Sequence, residues 1–273
     1  MHKTFDTPEP VSLYVELGSG DLHVAADDVV QTTVTVDGKD ADDATVEQRG
    51  NQIVVLAPHK KTGLFNTSSE LNVHVTLPSD SEVATKLGSA DVVGTGRFGT
   101  AKIKSGSGDV RLEELGGDAL IETGSGDIKV GTAVGELRIK CGSGDVEVGR
   151  LDSATSISTG SGDVELGTAQ DEVLVKSGSG SMRVKEAHTD VSLSTASGDL
   201  YVGVMRRGVL LAKNVSGDIR VGIPANIPVW TDINCTTGSV RSNLEGAGQP
   251  EEGQDFIEVR AKTISGDIHL EQM

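Results

Sequence analysis

Gly106-Ser107-Gly108-Asp109-Val110-Arg111-Leu112 is followed, one repeat later, by Gly124-Ser125-Gly126-Asp127-Ile128-Lys129-Val130. The same tetrapeptide fills residues 142–145 and 160–163. Its last position recurs at Asp91, Asp109, Asp127, Asp145, Asp163, Ser181 and Asp199, an interval of 18 residues six times running. An unbroken period of this length signals stacked copies of one structural unit.

Aligning the copies on that position gives four apolar columns. One residue on stand Val92, Val110, Ile128, Val146, Val164, Met182 and Leu200; three residues on stand Gly94, Leu112, Val130, Val148, Leu166, Val184 and Val202. Ten residues on come Ala101, Ala119, Leu137, Thr155, Val173, Val191 and Val209; twelve on come Ile103, Ile121, Ile139, Ile157, Val175, Leu193 and Leu211. Polar residues such as Arg111, Lys129, Lys140, Glu147, Glu165 and Lys176 lie between them. Period-two alternation, twice per unit, predicts two short strands per coil, with apolar side chains inward. β-Branched residues dominate the inward set, as a packed pleated surface favours. No segment carries a 3.6-residue period.

Two strands cannot bury their inner faces alone, whereas stacking pairs each strand in parallel with its equivalent in the next coil. The expected fold is an all-β, parallel two-sheet β-solenoid (β-helix) with 18 residues per coil and irregular caps. About ten coils at ~4.8 Å would give a rod about 48 Å long. One continuous domain is expected, in three parts. Residues 1–85 form an N-terminal capping coil with an insertion, 86–217 the regular repeats, and 218–273 irregular C-terminal coils and a cap.

At the N-terminal end a single early motif, residues 18–21, precedes strand-like runs at 32–36, 52–56 and 71–77. A polar stretch at 37–43 and a loop around Lys60 to Ser69 interrupt these runs. After Asp199 the interval slips to 19 (Asp218), 21 (Ser239) and 28 residues (Asp267). Pro224, Pro228, Trp230 and an acidic loop at 245–255 fill the slack, and the runs 256–261 and 264–270 read as closing strands. Atypical caps are expected, because bare ends are open sheet edges that would join one another.

A formal charge of −17 argues against nucleic acid and against anionic membrane surfaces as partners. Aromatic residues make up only 3%, which suits a thin aliphatic core. No apolar stretch is long enough for a membrane span, and no signal peptide is read at the N-terminus, so a cytoplasmic location is expected. Cys141 and Cys235 share a column otherwise held by Ser105, Thr123, Thr159, Ser177, Thr195 and Thr263. With five coils between them, about 24 Å apart, free thiols in a small semi-buried slot are expected.

Thr/Ser-Gly-Ser-Gly-Asp-Val units, entered by Val73-His74-Val75-Thr76-Leu77-Pro78 and closed by Ile264-Ser265-Gly266-Asp267-Ile268, resemble the bacterial β-strand-repeat family often labelled "putative adhesin", which is related to the toastrack domains. The resemblance covers nearly the whole chain. It implies the fold and carries no established catalytic residues. Relatives often have membrane segments or accompany envelope-stress proteins; no such segment is read here.

Asp109, Asp127, Asp145 and Asp163 are the candidates for a cation-collecting ladder, since carboxylates at ~5 Å spacing could hold a hard cation. The preferred reading is that each Asp caps backbone N–H groups in its own turn, because the Gly-Gly-x-Gly-x-Asp turn of calcium-binding repeats is absent and Ser181 interrupts the column, so no metal is assigned. Residues 94–99 match G-x-G-x-x-G, but Thr100-Ala101-Lys102-Ile103-Lys104 follows as a strand, not as the helix a dinucleotide site requires. Neither His2, His23, His59, His74, His188 and His269 nor the corner serines show zinc or nucleophile spacing.

No catalytic residue and no cofactor is therefore assigned. The expected role is a non-catalytic scaffold that presents a flat charged surface to a protein partner. Self-assembly is the second reading, and a polysaccharide-directed enzyme the third.

Overall fold

A computed structural model describes residues 1–58, 70–246, 248 and 254–273. The loop around Lys60 to Ser69, and residues 247 and 249–253 of the acidic loop, lie outside the described residues. The protein is all-β; among the described residues the one helical element is a 3-10 turn, Ala41–Asp43. No helix among them is long and apolar enough to cross a membrane. The chain divides into two compact units, Met1–Glu136 and Leu137–Met273.

Unit 1 holds β1 (His2–Asp6), β2 (Ser12–Leu17), β3 (Ser19–Asp27), β4 (Gln31–Asp37), β5 (Thr45–Arg49), β6 (Gln52–Leu56) and β7 (Glu70–Pro78). It continues with β8 (Glu82–Leu87), β9 (Asp91–Phe98), β10 (Ala101–Ser105), β11 (Val110–Leu115), β12 (Ala119–Thr123) and β13 (Ile128–Ala133). Strands leaving the Asp corner form an outbound sheet, in the order β1-β4-β7-β3-β9-β11-β13; those leading into the corner form an inbound sheet, β12-β10-β8-β2-β6-β5. The repeat dictates the register: Val110 lies between Val92 and Ile128, and Ile103 opposite Ile121. Alternate residues point inward, so Val92, Val110, Ile128, Ile103 and Ile121 are all buried. Phe98 turns back over Gly94, where a side chain would collide with the ring and with Leu112.

The N-terminal cap is more elaborate than a coil with an insertion. The motif coil β2/β3 is not outermost: it lies between β8/β9 and β6/β7, parallel to both. Outside it the chain turns antiparallel, with β4 on β7, β1 on β4 and β5 on β6.

Unit 2 holds β14 (Leu137–Ser143), β15 (Val146–Leu151), β16 (Thr155–Ser161), β17 (Val164–Ala169), β18 (Val173–Ser179), β19 (Met182–Ala187) and β20 (Val191–Ser194). Beyond them come β21 (Leu200–Met205), β22 (Gly208–Lys213), β23 (Ile219–Ile223), β24 (Val229–Thr237), β25 (Val240–Ser242), β26 (Ile257–Ser265) and β27 (Ile268–Gln272). The outbound order is β15-β17-β19-β21-β23-β27-β25 and the inbound order is β24-β26-β22-β20-β18-β16-β14, parallel throughout.

Two expectations are corrected in unit 2. Val209 and Leu211 do not continue the inward columns. The 19-residue interval shifts the pairing by one, setting Leu210 opposite Val191 and Ala212 opposite Leu193, and these two are buried. A one-residue slip exchanges the faces of a strand, so Leu211 and Lys213 face outward. Nor are the last strands the closing ones. β26 enters between β22 and β24, and β27 between β23 and β25, which leaves β24 and β25 as the edges.

Candidate binding surface

The carboxylate column is a hydrogen-bond ladder between coils. In unit 1 the Asp109 N–H donates to Asp91 Oδ1 at 2.8 Å and the Asp127 N–H to Asp109 Oδ1 at 2.9 Å. In unit 2 the Asp163 N–H donates to Asp145 Oδ1 (2.8 Å) and the Ser181 N–H to Asp163 Oδ1 (2.7 Å). Ser181 Oγ then accepts from Asp199 (3.3 Å), Asp199 from Asp218 (2.8 Å), Asp218 from Asp267 (2.9 Å) and Asp267 from Ser239 (2.8 Å). The expectation that each Asp caps its own turn is thus corrected: the acceptor serves the neighbouring coil. The second oxygens of Asp109 and Asp218 bind Arg111 (2.9 Å) and Arg220 (3.3 Å). Among the described residues no group of three or more His, Cys, Asp or Glu is arranged to hold a metal ion.

The thiol column serves the same corner from within. Ser105 Oγ and Thr123 Oγ1 accept the N–H of Gly108 and Gly126, while Thr159 Oγ1 donates to the Ser161 carbonyl. Cys141 Sγ approaches the Gly144 carbonyl at 3.5 Å and Cys235 Sγ the Gly266 carbonyl at 3.3 Å. Both cysteines are free. The order of the inbound sheet sets six strand spacings between them, about 29 Å, one more than the motif count implied. In the slipped coil the column passes to Asn214, whose Nδ2 donates to the carbonyls of Gly198 and Gly217.

Other sequence candidates have structural explanations. The 94–99 motif lies on β9 and the turn to β10, and Gly96 has φ +82° where a side chain would overlap the Ala26 carbonyl. His23 and His74 face outward on paired strands, their rings stacked with centroids 4.9 Å apart. A shallow cleft in unit 2 is lined by His188, Arg206, Arg207 and Asp255. Its guanidinium groups are already engaged: Arg206 with Glu186 at 2.8 Å, Arg207 with the His188 carbonyl at 2.9 Å. The Arg206 hydrogen bond holds the Glu186 carboxyl below its ordinary pKa.

The outer face of the inbound sheet in unit 2 is different in kind. Arg138, Lys140, Lys176, Lys213, Arg260 and Lys262 project from it, against Glu258 and Asp232. Glu258 is bound by Arg260 at 2.7 Å. Ser156, Ser158, Ser192 and Ser194 share the outward positions with the half-buried Leu174, Val209 and Leu211, and Ile264 and Trp230 are exposed on the strands nearest the edge. Lys213 and Lys262 are direct cross-strand partners, and Lys176 lies two strands away beyond Ser194. All three are exposed, and none forms an ion pair among the described residues. In unit 1 the corresponding face is balanced, with Lys86 on Glu16 at 2.9 Å and Lys104 on Glu122 at 2.6 Å.

Residues 11–204 match the family model described as Toastrack DUF4097. The chain belongs to this family. Among solved structures, this toastrack protein is similar to one named a "putative adhesin" from Bacteroides fragilis, at 16% identity and a TM-score of 0.51, over 79% of this chain and 96% of that one. It is also similar to a "putative lipid binding protein" from Parabacteroides distasonis at 13% identity and a TM-score of 0.34, over 100% and 96% of the two chains. At 16% identity the likeness to the Bacteroides fragilis structure concerns the fold alone. No curated protein matches the chain.

The matched residues stop before β22, so the coils carrying Lys213 and Lys262 lie outside the toastrack match. The basic column escaped sequence reading for a related reason. Lys140 and Lys176 stood among the outward residues, but the slip at Gly208 hid Lys213 from their column.

Proposed function

We propose that this toastrack protein is a non-catalytic scaffold that binds an acidic protein surface on the inbound face of unit 2. One observation carries the reading: six basic side chains against two acidic ones on one flat face, in a chain of formal charge −17. Like charges held directly opposite each other destabilise a sheet, so the Lys213–Lys262 pair is a cost that complementary charge on a partner would relieve. Such faces steer encounter and select partners more than they add raw affinity. The density of positive charge favours an acidic protein surface over a neutral sugar chain, and the exposed aromatic on this face, Trp230, stands at its edge strand, apart from the lysines.

The test is a comparative pull-down from extract with the full chain, with Lys176→Glu/Lys213→Glu/Lys262→Glu, and with Glu147→Lys/Glu165→Lys on the outbound face. A specific protein lost only with the lysine triple variant supports the reading. Equal capture by all three, or retention on a polysaccharide in place of a protein, overturns it.

A further inference from the structure

The two kinds of chain end in this fold are finished differently. In unit 1 the outermost strands are antiparallel, and β1 and β5 carry Lys3, Glu47 and Arg49, charges of the sort that discourage edge pairing. In unit 2 the outermost inbound strand, β24, is a parallel rung paired, among the described residues, on one side only, along eight positions with β26. Its inward residues Ile233 and Cys235 are only half-buried, because no rung among the described residues covers them; Trp230 is 63% and Val240 of β25 is 49% exposed. The Asp ladder also stops here at Ser239, whose N–H is donated to Asp267. Within the stack, Ser181 shows that a serine in this position accepts from the next rung.

The sequence of β24 fits one occupant. Val229-Trp230-Thr231-Asp232-Ile233-Asn234-Cys235-Thr236-Thr237 is an odd-numbered strand centred on Ile233. Laid antiparallel on a second copy about that centre, Ile233 meets Ile233, Asp232 meets Asn234, Thr231 meets Cys235 and Trp230 meets Thr236. Inward residues oppose inward residues, and no like charges stand directly opposite each other. Two-fold pairing of this kind is isologous and closes on itself, so it ends in a dimer and not a fibre.

We infer that β24 is the interface of a head-to-head homodimer, in which the inbound sheets of two copies continue into one another through antiparallel β24 strands. The inference rests on the edge strand and not on the proposed function, although Asp232 and Asn234 lie opposite Arg260 and Lys262 of the basic face.

Sedimentation of the full chain across a wide concentration range should show a monomer–dimer equilibrium. Asn234→Asp, an isosteric change at an exposed position, sets two symmetry-related Asp–Asp pairs across the interface and should weaken the dimer about tenfold. The double variant Asp232→Lys/Asn234→Asp, which turns those pairs attractive, should restore it. In Thr231→Cys the new thiol lies opposite Cys235 of the second copy, so mild oxidation should give a covalent dimer. Within one chain the two sulfurs are about 13 Å apart along an extended strand and cannot bridge. A chain that stays monomeric, or a dimer that ignores Asn234→Asp and gives no cross-link in Thr231→Cys, overturns the inference.

Discussion

The N–H of Ser181 donates to Asp163 Oδ1 at 2.7 Å, and Asp163 thereby joins its coil to the next one. The carboxylate already has its work as a backbone acceptor. Asp163→Ala should destabilise the protein by about 1–2 kcal/mol, as for loss of a charge-assisted hydrogen bond. Asp163→Asn, which keeps the acceptor, should cost less. Chemical denaturation measures both, and EDTA should leave the midpoint unchanged.

The inward and outward columns make opposite demands on neighbouring residues. Ile139 is fully buried and Lys140 exposed on the same strand. Ile139→Asp should cost about 4 kcal/mol or more, since a buried unpaired carboxylate is the most expensive replacement available. Lys140→Asp should change stability by less than about 1 kcal/mol. Comparable losses in thermal melts would mean that the faces are misassigned.

Glycine is required at the corner for two reasons at once. Gly162 has φ +123°, and a methyl group there would overlap the Gly144 carbonyl oxygen of the adjacent coil. Gly162→Ala should therefore cost about 2 kcal/mol or more. Gly50 has φ +61° with open space where a Cβ would stand, so Gly50→Ala should cost only about 1 kcal/mol. Denaturation midpoints of the two variants give the comparison.

Asp267 makes the end of unit 2 sensitive to acid. The Ser239 N–H hydrogen bond holds its carboxyl below the ordinary pKa. A depressed carboxylate stabilises the fold above its unfolded value, about 3.9, and that contribution is lost as pH falls through the lower folded value. The melting temperature of Asp267→Asn should thus lie below that of the parent at neutral pH. The two should converge as pH drops below about 4. A constant gap across that range would contradict the assigned cause.

The paired lysines carry a cost that substitution should remove. Lys213→Glu places opposite charges across from each other at the Lys262 position, and should stabilise the isolated protein by about 0.5–1 kcal/mol. A stabilising change on a binding face is the expected signature of a residue kept for a partner.

The repeating coils were legible because each residue meets its own equivalent one interval away; Val164, for example, lies opposite Met182. A period in sequence then becomes a column in space. The ends were not legible, because Ile257-Glu258-Val259-Arg260-Ala261 alternates identically whether it closes the stack or enters between two rungs. Gly208 hid the rest: one extra residue exchanged the faces of β22 and concealed Lys213. The Asp column was visible as a column, but its acceptor role between coils depends on side-chain direction, which spacing alone does not carry.

Lysine-acylation footprinting of the full chain, alone and with its captured partner, tests the basic face most directly. Lys176, Lys213 and Lys262 should lose reactivity together when the partner binds, while Lys102 of unit 1 and Lys185 of the outbound sheet stay as reactive as before. Unchanged labelling at the three lysines, or protection concentrated on Lys185, would contradict the assignment of the inbound face of unit 2 as the recognition surface.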